Sequence, residues 1–156
     1  MSYRSIYRPG LFEGQSIVIT GGGSGIGRCT AHELVSLGAR VALVGRSLEK
    51  LETVKGELSE AGGDATIHTC DIRDEDAVKA TVAEIITQQG AIHGLVNNAG
   101  GQFPALLEEI TLKGWDAVIK TNLTGGFLVA RECYVQWMKE NGGGPIVNMV
   151  ADMWNS

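Results

Sequence analysis

The chain has 156 residues, of which 44% are hydrophobic and 20% are charged, and its formal net charge is −5. This length is typical of one domain, so we treat residues 1–156 as a single domain with its own core. The acidic balance argues against a nucleic-acid partner, which requires a basic face, and no apolar run approaches the ~20 residues that span a bilayer.

Five short apolar segments rich in β-branched residues predict β-strands. They are residues 16–20, 40–45, 65–70, 94–98 and 145–150. The segments are almost wholly apolar instead of alternating, which is expected when helices cover both faces of a parallel sheet. Longer segments with helical spacing separate them. The order predicts an α/β fold, a doubly wound parallel sheet in three αβα layers with right-handed crossovers.

The first three predicted helices each have one apolar face and a recognisable end. The first ends at Gly38, the second begins after Ser47 as a helix N-cap, and the third is introduced by Asp74. Their apolar positions are Ala31, Leu34 and Val35 in the first, Leu51, Val54 and Leu58 in the second, and Val78, Val82, Ile85 and Ile86 in the third.

A long fourth helix is predicted up to the glycines at 142–144. Its apolar stripe consists of Trp115, Ile119, Phe127, Ala130, Tyr134 and Trp137. Asn122 falls on the same stripe, so we expect it to be buried and to need hydrogen-bond partners. Asparagine is also a mediocre helix former. Two interpretations remain open, a structural hydrogen bond to backbone and a functional-site residue.

Ligands of doubly wound sheets bind beyond the carboxyl ends of the strands. The first such end, "TGGGSGIGR", is a glycine-rich turn that leads into a helix, where backbone can approach a pyrophosphate and helix N–H groups are free. Its spacing is G-x-x-x-G-x-G, and it lacks the lysine of a P-loop. A tight turn without a ligand is the alternative. The predicted contacts are Thr20, Gly21, Gly23, Ser24, Gly25, Ile26 and Gly27.

The second strand end, "VGRS", indicates which dinucleotide is bound. An acidic residue about 20 positions after the glycines is typical of NAD sites, and a nearby arginine is typical of NADP sites. Gly45 and Arg46 stand at that position, and Arg28 closes the glycine-rich turn. Because a guanidinium can hold a 2′-phosphate, we predict NADP(H) as the preferred cofactor, with NAD(H) possible. The alternative is that Arg46 only solvates the turn.

The third and fourth strand ends add further candidate contacts. Asp71, followed by Ile72, is placed to accept a hydrogen bond from an adenine amino group, or else to cap the next helix. In the motif "NNAG", the side chain of Asn98 can pin neighbouring backbone, while Ala99 and Gly100 leave room for a ribose or a ring.

Cysteine and histidine residues show no metal-ligand or disulfide spacing. Cys29, Cys70 and Cys133 are far apart and form no CxxC pair, so we predict no metal site and a reducing compartment. The opening segment "MSYRSIYRPGLFEGQ" lacks the apolar stretch of a secretory signal. We therefore predict a cytoplasmic protein.

These motifs together resemble the short-chain dehydrogenase/reductase family. The resemblance comprises TGGGSGIG at 20–27, Asp71, NNAG at 97–100, Asn122 within TNLTGG, and the strand PIVNMV. It implies a Rossmann-type fold and hydride transfer to or from a nicotinamide. It also implies that Asn122 corresponds to the asparagine of the family's catalytic tetrad, and that Arg46 without a preceding acid marks an NADP-preferring member.

Three longer stretches are similar to one branch of this family. "NNAGGQFPA", "KGWDAVIKTNLTGGF" and "WMKENGGGPIVNMV" resemble peroxisomal trans-2-enoyl-CoA reductases, 2,4-dienoyl-CoA reductases and bacterial citronellol or citronellal dehydrogenases. The resemblance implies reduction of a conjugated C=C on a small-molecule substrate such as an acyl-CoA, with Asn122 contributing a donor to an enolate-like oxygen. A terpenoid alcohol or aldehyde is the alternative substrate.

The sequence departs from the family pattern near its end. Ala151 stands where the family usually has its catalytic serine, and no Tyr-x-x-x-Lys motif occurs within residues 1–156. We expect the fold to stop after the fifth strand, without the catalytic and substrate-binding part. A nucleotide-binding module without turnover is therefore a competing hypothesis. The family commonly forms dimers or tetramers, so a homo-oligomer is possible.

Overall fold

The computed structural model describes residues 5–150, so the expectation about Ala151 lies outside the described residues. Five parallel strands form one sheet in the order β3-β2-β1-β4-β5. The strands are β1 (Ser16–Thr20), β2 (Arg40–Gly45), β3 (Ala65–Thr69), β4 (Gly94–Asn97) and β5 (Ile146–Asn148). The helices are α1 (Gly25–Ser36), α2 (Leu48–Glu60), α3 (Glu75–Gln89), α4 (Leu112–Val118) and α5 (Gly126–Gln136). The predicted Rossmann-type α/β fold is confirmed.

The sheet is covered on both faces, as its apolar strands predict. Successive residues of a strand point to opposite faces. Val18 packs with residues of α3 and α5 in one core cluster, whereas Ile17 and Ile19 pack with residues of α1 and α2 in the other. All residues of β1 and β4 are buried. The strand order reverses at β1, between β2 and β4, which is where ligands of such folds bind.

The predicted helix ends of the first three helices are confirmed. The Ser47 hydroxyl accepts a hydrogen bond from the Lys50 N–H at the start of α2, and the Asp74 carboxylate accepts one from the Ala77 N–H at the start of α3. Gly38 follows α1 with a φ of 96°, a conformation that favours glycine.

The predicted long helix is continuous from Leu112 to Gln136, but its predicted apolar stripe is only partly correct, because Ala130 and Trp137 pack against the core whereas other members are exposed. A π-helical segment (Ile119–Gly125) joins α4 to α5, and a short 3₁₀ turn (Met138–Glu140) follows. Trp115, Phe127 and Tyr134 are 56%, 58% and 49% exposed. Spacing identifies an apolar face but not which face meets the sheet. The residues of α5 that are buried against the sheet are Leu128, Val129 and Cys133.

The fifth strand is shorter and more exposed than predicted. It covers Ile146–Asn148 in place of residues 145–150, and all its residues are exposed. The reason is its position, because β5 pairs with β4 on one side and lies at the edge of the five-stranded sheet. Within residues 5–150, no helix is long and apolar enough to cross a membrane. Nor does any group of three or more His, Cys, Asp or Glu side chains in that range lie close enough together to hold a metal ion.

Candidate functional site

A cavity of about 410 Å³ opens at the carboxyl ends of the strands, beside the glycine-rich turn. Most of the residues predicted as contacts of a dinucleotide line it. They are Gly21, Gly23, Ser24, Gly25, Ile26, Arg46, Asp71, Ile72, Asn98, Ala99 and Gly100. Residues from four separate strand ends therefore meet at one place, as the topology of a parallel sheet requires.

Thr20 does not line the cavity but joins two of its walls. Its buried hydroxyl accepts hydrogen bonds from the N–H groups of Asn98 and Ala99, both at 3.0 Å. In return, Asn98 Nδ2 donates to the carbonyl oxygens of Thr20 at 3.0 Å and Gly21 at 3.3 Å. The structure confirms the prediction that this asparagine pins neighbouring backbone, and the ends of β1 and β4 are held together.

Gly27 also lies behind the cavity wall, where only a glycine fits. A Cβ atom at this position would lie 2.3 Å from the carbonyl oxygen of Gly21 and 2.6 Å from Asn98 Nδ2. Gly25 begins α1 with a φ of 52°, a conformation that glycine adopts readily. The Ser24 side chain does not cap α1. The first turn of α1 borders the cavity, and its backbone N–H groups make no hydrogen bond to the Ser24 side chain.

The two arginines near the glycine-rich turn have different environments. Arg46 is exposed and lines the cavity. Arg28 does not line it, because its guanidinium donates to the Glu57 carboxylate of α2 at 2.7 and 2.9 Å. This hydrogen bonding is the main cause that lowers the pKa of Glu57. Of the two, only Arg46 is placed to meet a bound ligand.

Asp71 is bonded to Arg73, two residues further along the chain. The Arg73 guanidinium donates to both carboxylate oxygens of Asp71, and the Arg73 N–H donates to Oδ1 at 3.1 Å. The hydrogen bond from the Arg73 side chain is the main cause that lowers the pKa of Asp71 to about 2. Because Asp74 caps α3, the alternative role of Asp71 as the cap of that helix is wrong. Its carboxylate is an ionised acceptor at the cavity wall.

Asn122 lies in the π-helical segment and is exposed, so the expectation that it is buried is wrong. Its Oδ1 accepts from the N–H of Gly101 at 2.8 Å, and its Nδ2 donates to the carbonyl of Gly101 at 2.7 Å. A Cβ atom at Gly100 would lie 2.7 Å from Oδ1. Asn122 therefore binds the chain that leaves β4, at the edge of the cavity and not in its lining.

A second contact anchors the same segment of chain. The ring of Phe103 packs on Gly114 of α4, where an added Cβ would lie 2.6 Å from the ring. In the π-helical segment, a Cβ atom added to Gly125 would lie about as close to the Ile72 side chain. Glycines in both segments therefore allow close approach of the neighbouring chain. The long helix therefore packs closely against Phe103 and Ile72, and Ile72 lines the cavity.

Several residues that line the cavity were not predicted as cofactor contacts. They are Val44, Gly45, Ser47, Lys50, Leu51, Cys70, Arg73 and Thr121. A usable signal existed for two of them. Lys50 is one helical turn beyond Arg46, and Arg73 follows Asp71 by two positions. The remaining residues are ordinary neighbours of the strand ends and carry no distinctive pattern.

The parallel sheet and the glycine-rich first crossover beside the cavity are those of Rossmann-type α/β domains. The protein-family model described as "short chain dehydrogenase" matches residues 15–153 of this chain. The chain belongs to the short-chain dehydrogenase family.

Several known proteins are similar over most of the chain. A solved citronellol catabolism dehydrogenase from Pseudomonas aeruginosa PAO1 is 60% identical, with a TM-score of 0.93 over 99% of this chain and 63% of that one. A glucose 1-dehydrogenase from Gluconobacter oxydans is 40% identical over 87% of this chain and 52% of its own length. A probable 2,4-dienoyl-CoA reductase from Bacillus subtilis is 34% identical over 89% and 55%. The chain therefore spans about half the length of these curated relatives.

Similar solved structures contain either form of nicotinamide cofactor. An actinorhodin polyketide ketoreductase variant with NADPH is 38% identical, with a TM-score of 0.85 over 88% of this chain and 53% of that one. An NAD⁺-bound xylitol dehydrogenase is 34% identical, with a TM-score of 0.84 over 88% and 53%. Of these two similar structures, one therefore holds NADPH and the other NAD⁺.

Proposed function

We propose that the cavity binds NADP(H) and that the protein is an oxidoreductase of its family. The observation that carries the proposal is the convergence of the glycine-rich turn, Arg46 and the Asn98–Gly100 segment on one cavity of about 410 Å³. The bound nicotinamide would supply or accept the hydride. The residues of this chain bind and orient the cofactor.

The division of roles follows the geometry of the walls. Backbone N–H groups at the start of α1 would hold the diphosphate, as at other helix N-termini. Arg46, just after β2, would hold the ribose 2′-phosphate. The Asp71 carboxylate, held by Arg73, would accept a hydrogen bond from the adenine amino group, and Gly100 would border the nicotinamide.

The proposed role of Asn122 is chiefly to bind the backbone of Gly101. Both polar atoms of its side chain are engaged with Gly101, so only one N–H hydrogen remains to act as a donor to a substrate oxygen. Its main role is to hold the chain that supports the nicotinamide and the substrate. Small displacements at such a position are costly, because hydride transfer requires a near-attack geometry.

For the substrate we propose the conjugated C=C of an enoyl-CoA-type compound. Ala151 in place of a serine suits a reaction that stabilises an enolate-like oxygen more than one that protonates an alkoxide. The probable 2,4-dienoyl-CoA reductase is consistent with this choice. The 60% identity to a citronellol catabolism dehydrogenase favours a second candidate, a terpenoid alcohol or aldehyde.

A nucleotide-binding module without turnover is the third candidate, because the cavity proposed for the cofactor is lined entirely by residues of this chain. A cytoplasmic location and a homo-oligomer stay predictions.

Calorimetry with NADPH and NADH, followed by NADPH oxidation with crotonyl-CoA and with citronellal, tests these candidates together. Turnover of crotonyl-CoA supports the enoyl reductase, and turnover of citronellal alone supports the terpenoid enzyme. Cofactor binding without turnover supports the module. If folded protein binds neither nicotinamide dinucleotide, the proposal is wrong.

A further inference from the structure

The cavity wall near β2 carries further positively charged side chains besides Arg46. The side chains of Arg46, Lys50 and Arg73 belong to the lining, and among the described residues that line it Asp71 is the one carboxylate. Arg73 is bonded to that carboxylate. The charge of Asp71 is thereby offset, and the charges of Arg46 and Lys50 remain for a ligand.

Lys50 lies directly against the glycine-rich turn. A Cβ atom added to Gly23 would lie 3.1 Å from the Cβ of Lys50 and 3.4 Å from its carbonyl carbon. The Lys50 N–H donates to the Ser47 hydroxyl in the first turn of α2, which orients the backbone at this point. The Lys50 side chain therefore starts between the glycine-rich turn and the turn that carries Arg46.

The other cation of this region is engaged elsewhere. The guanidinium of Arg28 is held by two hydrogen bonds to Glu57 and is not part of the lining. A second cation for a ligand phosphate must therefore come from α2 and not from the end of the glycine-rich turn.

We propose that Lys50 is a second specificity-determining residue for the 2′-phosphate of NADP(H), beside Arg46. The proposal rests on the proposed binding of NADP(H). A phosphate monoester carries about −1.5 to −2 charges near neutral pH, which one guanidinium does not neutralise. Arg46 offers a planar fork for two phosphate oxygens, while a lysine acts as a point charge that can follow the third.

The test compares three charge-removing variants by calorimetry with NADPH and NADH. Lys50→Gln is expected to weaken NADPH binding about tenfold, the effect of one charge-assisted hydrogen bond, and to leave NADH binding within about twofold. Lys55→Gln is the matched control, because it removes the same charge from the same helix and Lys55 is not in the lining. Lys50→Arg is expected to keep most of the preference, and Arg46→Gln to reduce it.

The outcomes separate this inference from the proposed function. If wild-type protein prefers NADPH, and Arg46→Gln removes that preference while Lys50→Gln behaves like Lys55→Gln, the role of Lys50 is refuted and NADP(H) binding stands. If wild-type protein binds NADPH no more tightly than NADH, both the cofactor preference and the role of Lys50 are wrong. Retained NADH binding by Lys50→Gln shows that its cavity is folded.

Discussion

The side-chain amide of Asn122 pairs with both backbone polar atoms of Gly101, through hydrogen bonds of 2.8 and 2.7 Å. The two residues are 21 positions apart, and the contact joins the π-helical segment to the chain that leaves β4. A π-helical turn within an α-helix is rare and is frequently found at functional sites. Here it presents the amide toward Gly101.

Replacement of Asn122 by aspartate tests this contact. The substitution keeps the shape but places an acceptor against the Gly101 carbonyl. On the proposed oxidoreductase function, we expect kcat to fall about a hundredfold, because hydride transfer is sensitive to a small displacement near the reacting atoms. The affinity for NADPH should change less than about threefold, since Asn122 is not in the cavity lining. Steady-state kinetics and calorimetry measure the two effects.

The control for this prediction is Thr124→Val, because Thr124 is exposed in the same π-helical segment. This substitution should change neither kcat nor the affinity for NADPH. An Asn122→Asp variant that weakens NADPH binding as strongly as it lowers kcat would show that the residue shapes the cofactor site itself.

The glycine-rich turn offers a matched pair of substitutions. Gly27→Ala should lower the free energy of unfolding by about 1–3 kcal/mol, because the added methyl group meets the Gly21 carbonyl oxygen at 2.3 Å. It should also weaken NADPH binding. Gly56→Ala, inside α2 with open space around it, should raise the free energy by about 0.5–1 kcal/mol. Urea denaturation measures both, and equal effects of the two variants would refute the packing argument.

Acid should destabilise the protein through His68. This imidazole is buried in β3, and its burial lowers its pKa, against the raising effect of Glu84. A group whose folded pKa lies below its unfolded pKa binds fewer protons when folded, so stability is lost as pH falls. We expect the free energy of unfolding to decrease as pH falls below the ordinary histidine value of about 6.5.

His68→Gln isolates this contribution, because it removes the titrating group and keeps a polar side chain. Urea denaturation of both proteins at pH about 8 and pH about 5 gives the change in the free energy of unfolding with pH for each protein. Parallel changes in the two proteins would show that His68 makes no contribution to the pH dependence.

The three cysteines should differ in reactivity. Burial raises the pKa of the Cys133 thiol to about 12 and also raises that of Cys70, and thiolates are the reactive form. Cys29 is exposed. A thiol reagent should therefore modify Cys29 alone in the native protein and all three after denaturation, as peptide mass analysis would show. A Cys29→Ser variant should remain unmodified, and rapid labelling of Cys133 would reveal that α5 opens.

Predictions from sequence succeeded where the cause is local along the chain. The strands at 16–20 and 40–45, and the helices that follow Ser47 and Asp74, are set by apolar spacing and by capping residues that act within a few positions. The glycines of the first crossover were recognisable because close backbone approach admits no side chain.

Contacts between residues distant in the chain could not be foreseen in this way. Periodicity alone did not show that Phe127 and Tyr134 face outward while Leu128 and Val129 meet the sheet. It also did not show that Glu57, 29 positions away, engages the Arg28 guanidinium.

Local patterns along the chain were enough to predict the order of elements, the parallel sheet and the strand ends at which the cavity forms. Packing then sets which polar side chains meet there: Lys50 and Arg73 join Arg46 at the cavity, and Asn122 is bonded to Gly101. Elements form from neighbouring residues, whereas hydrogen bonds and ion pairs depend on groups that packing brings together.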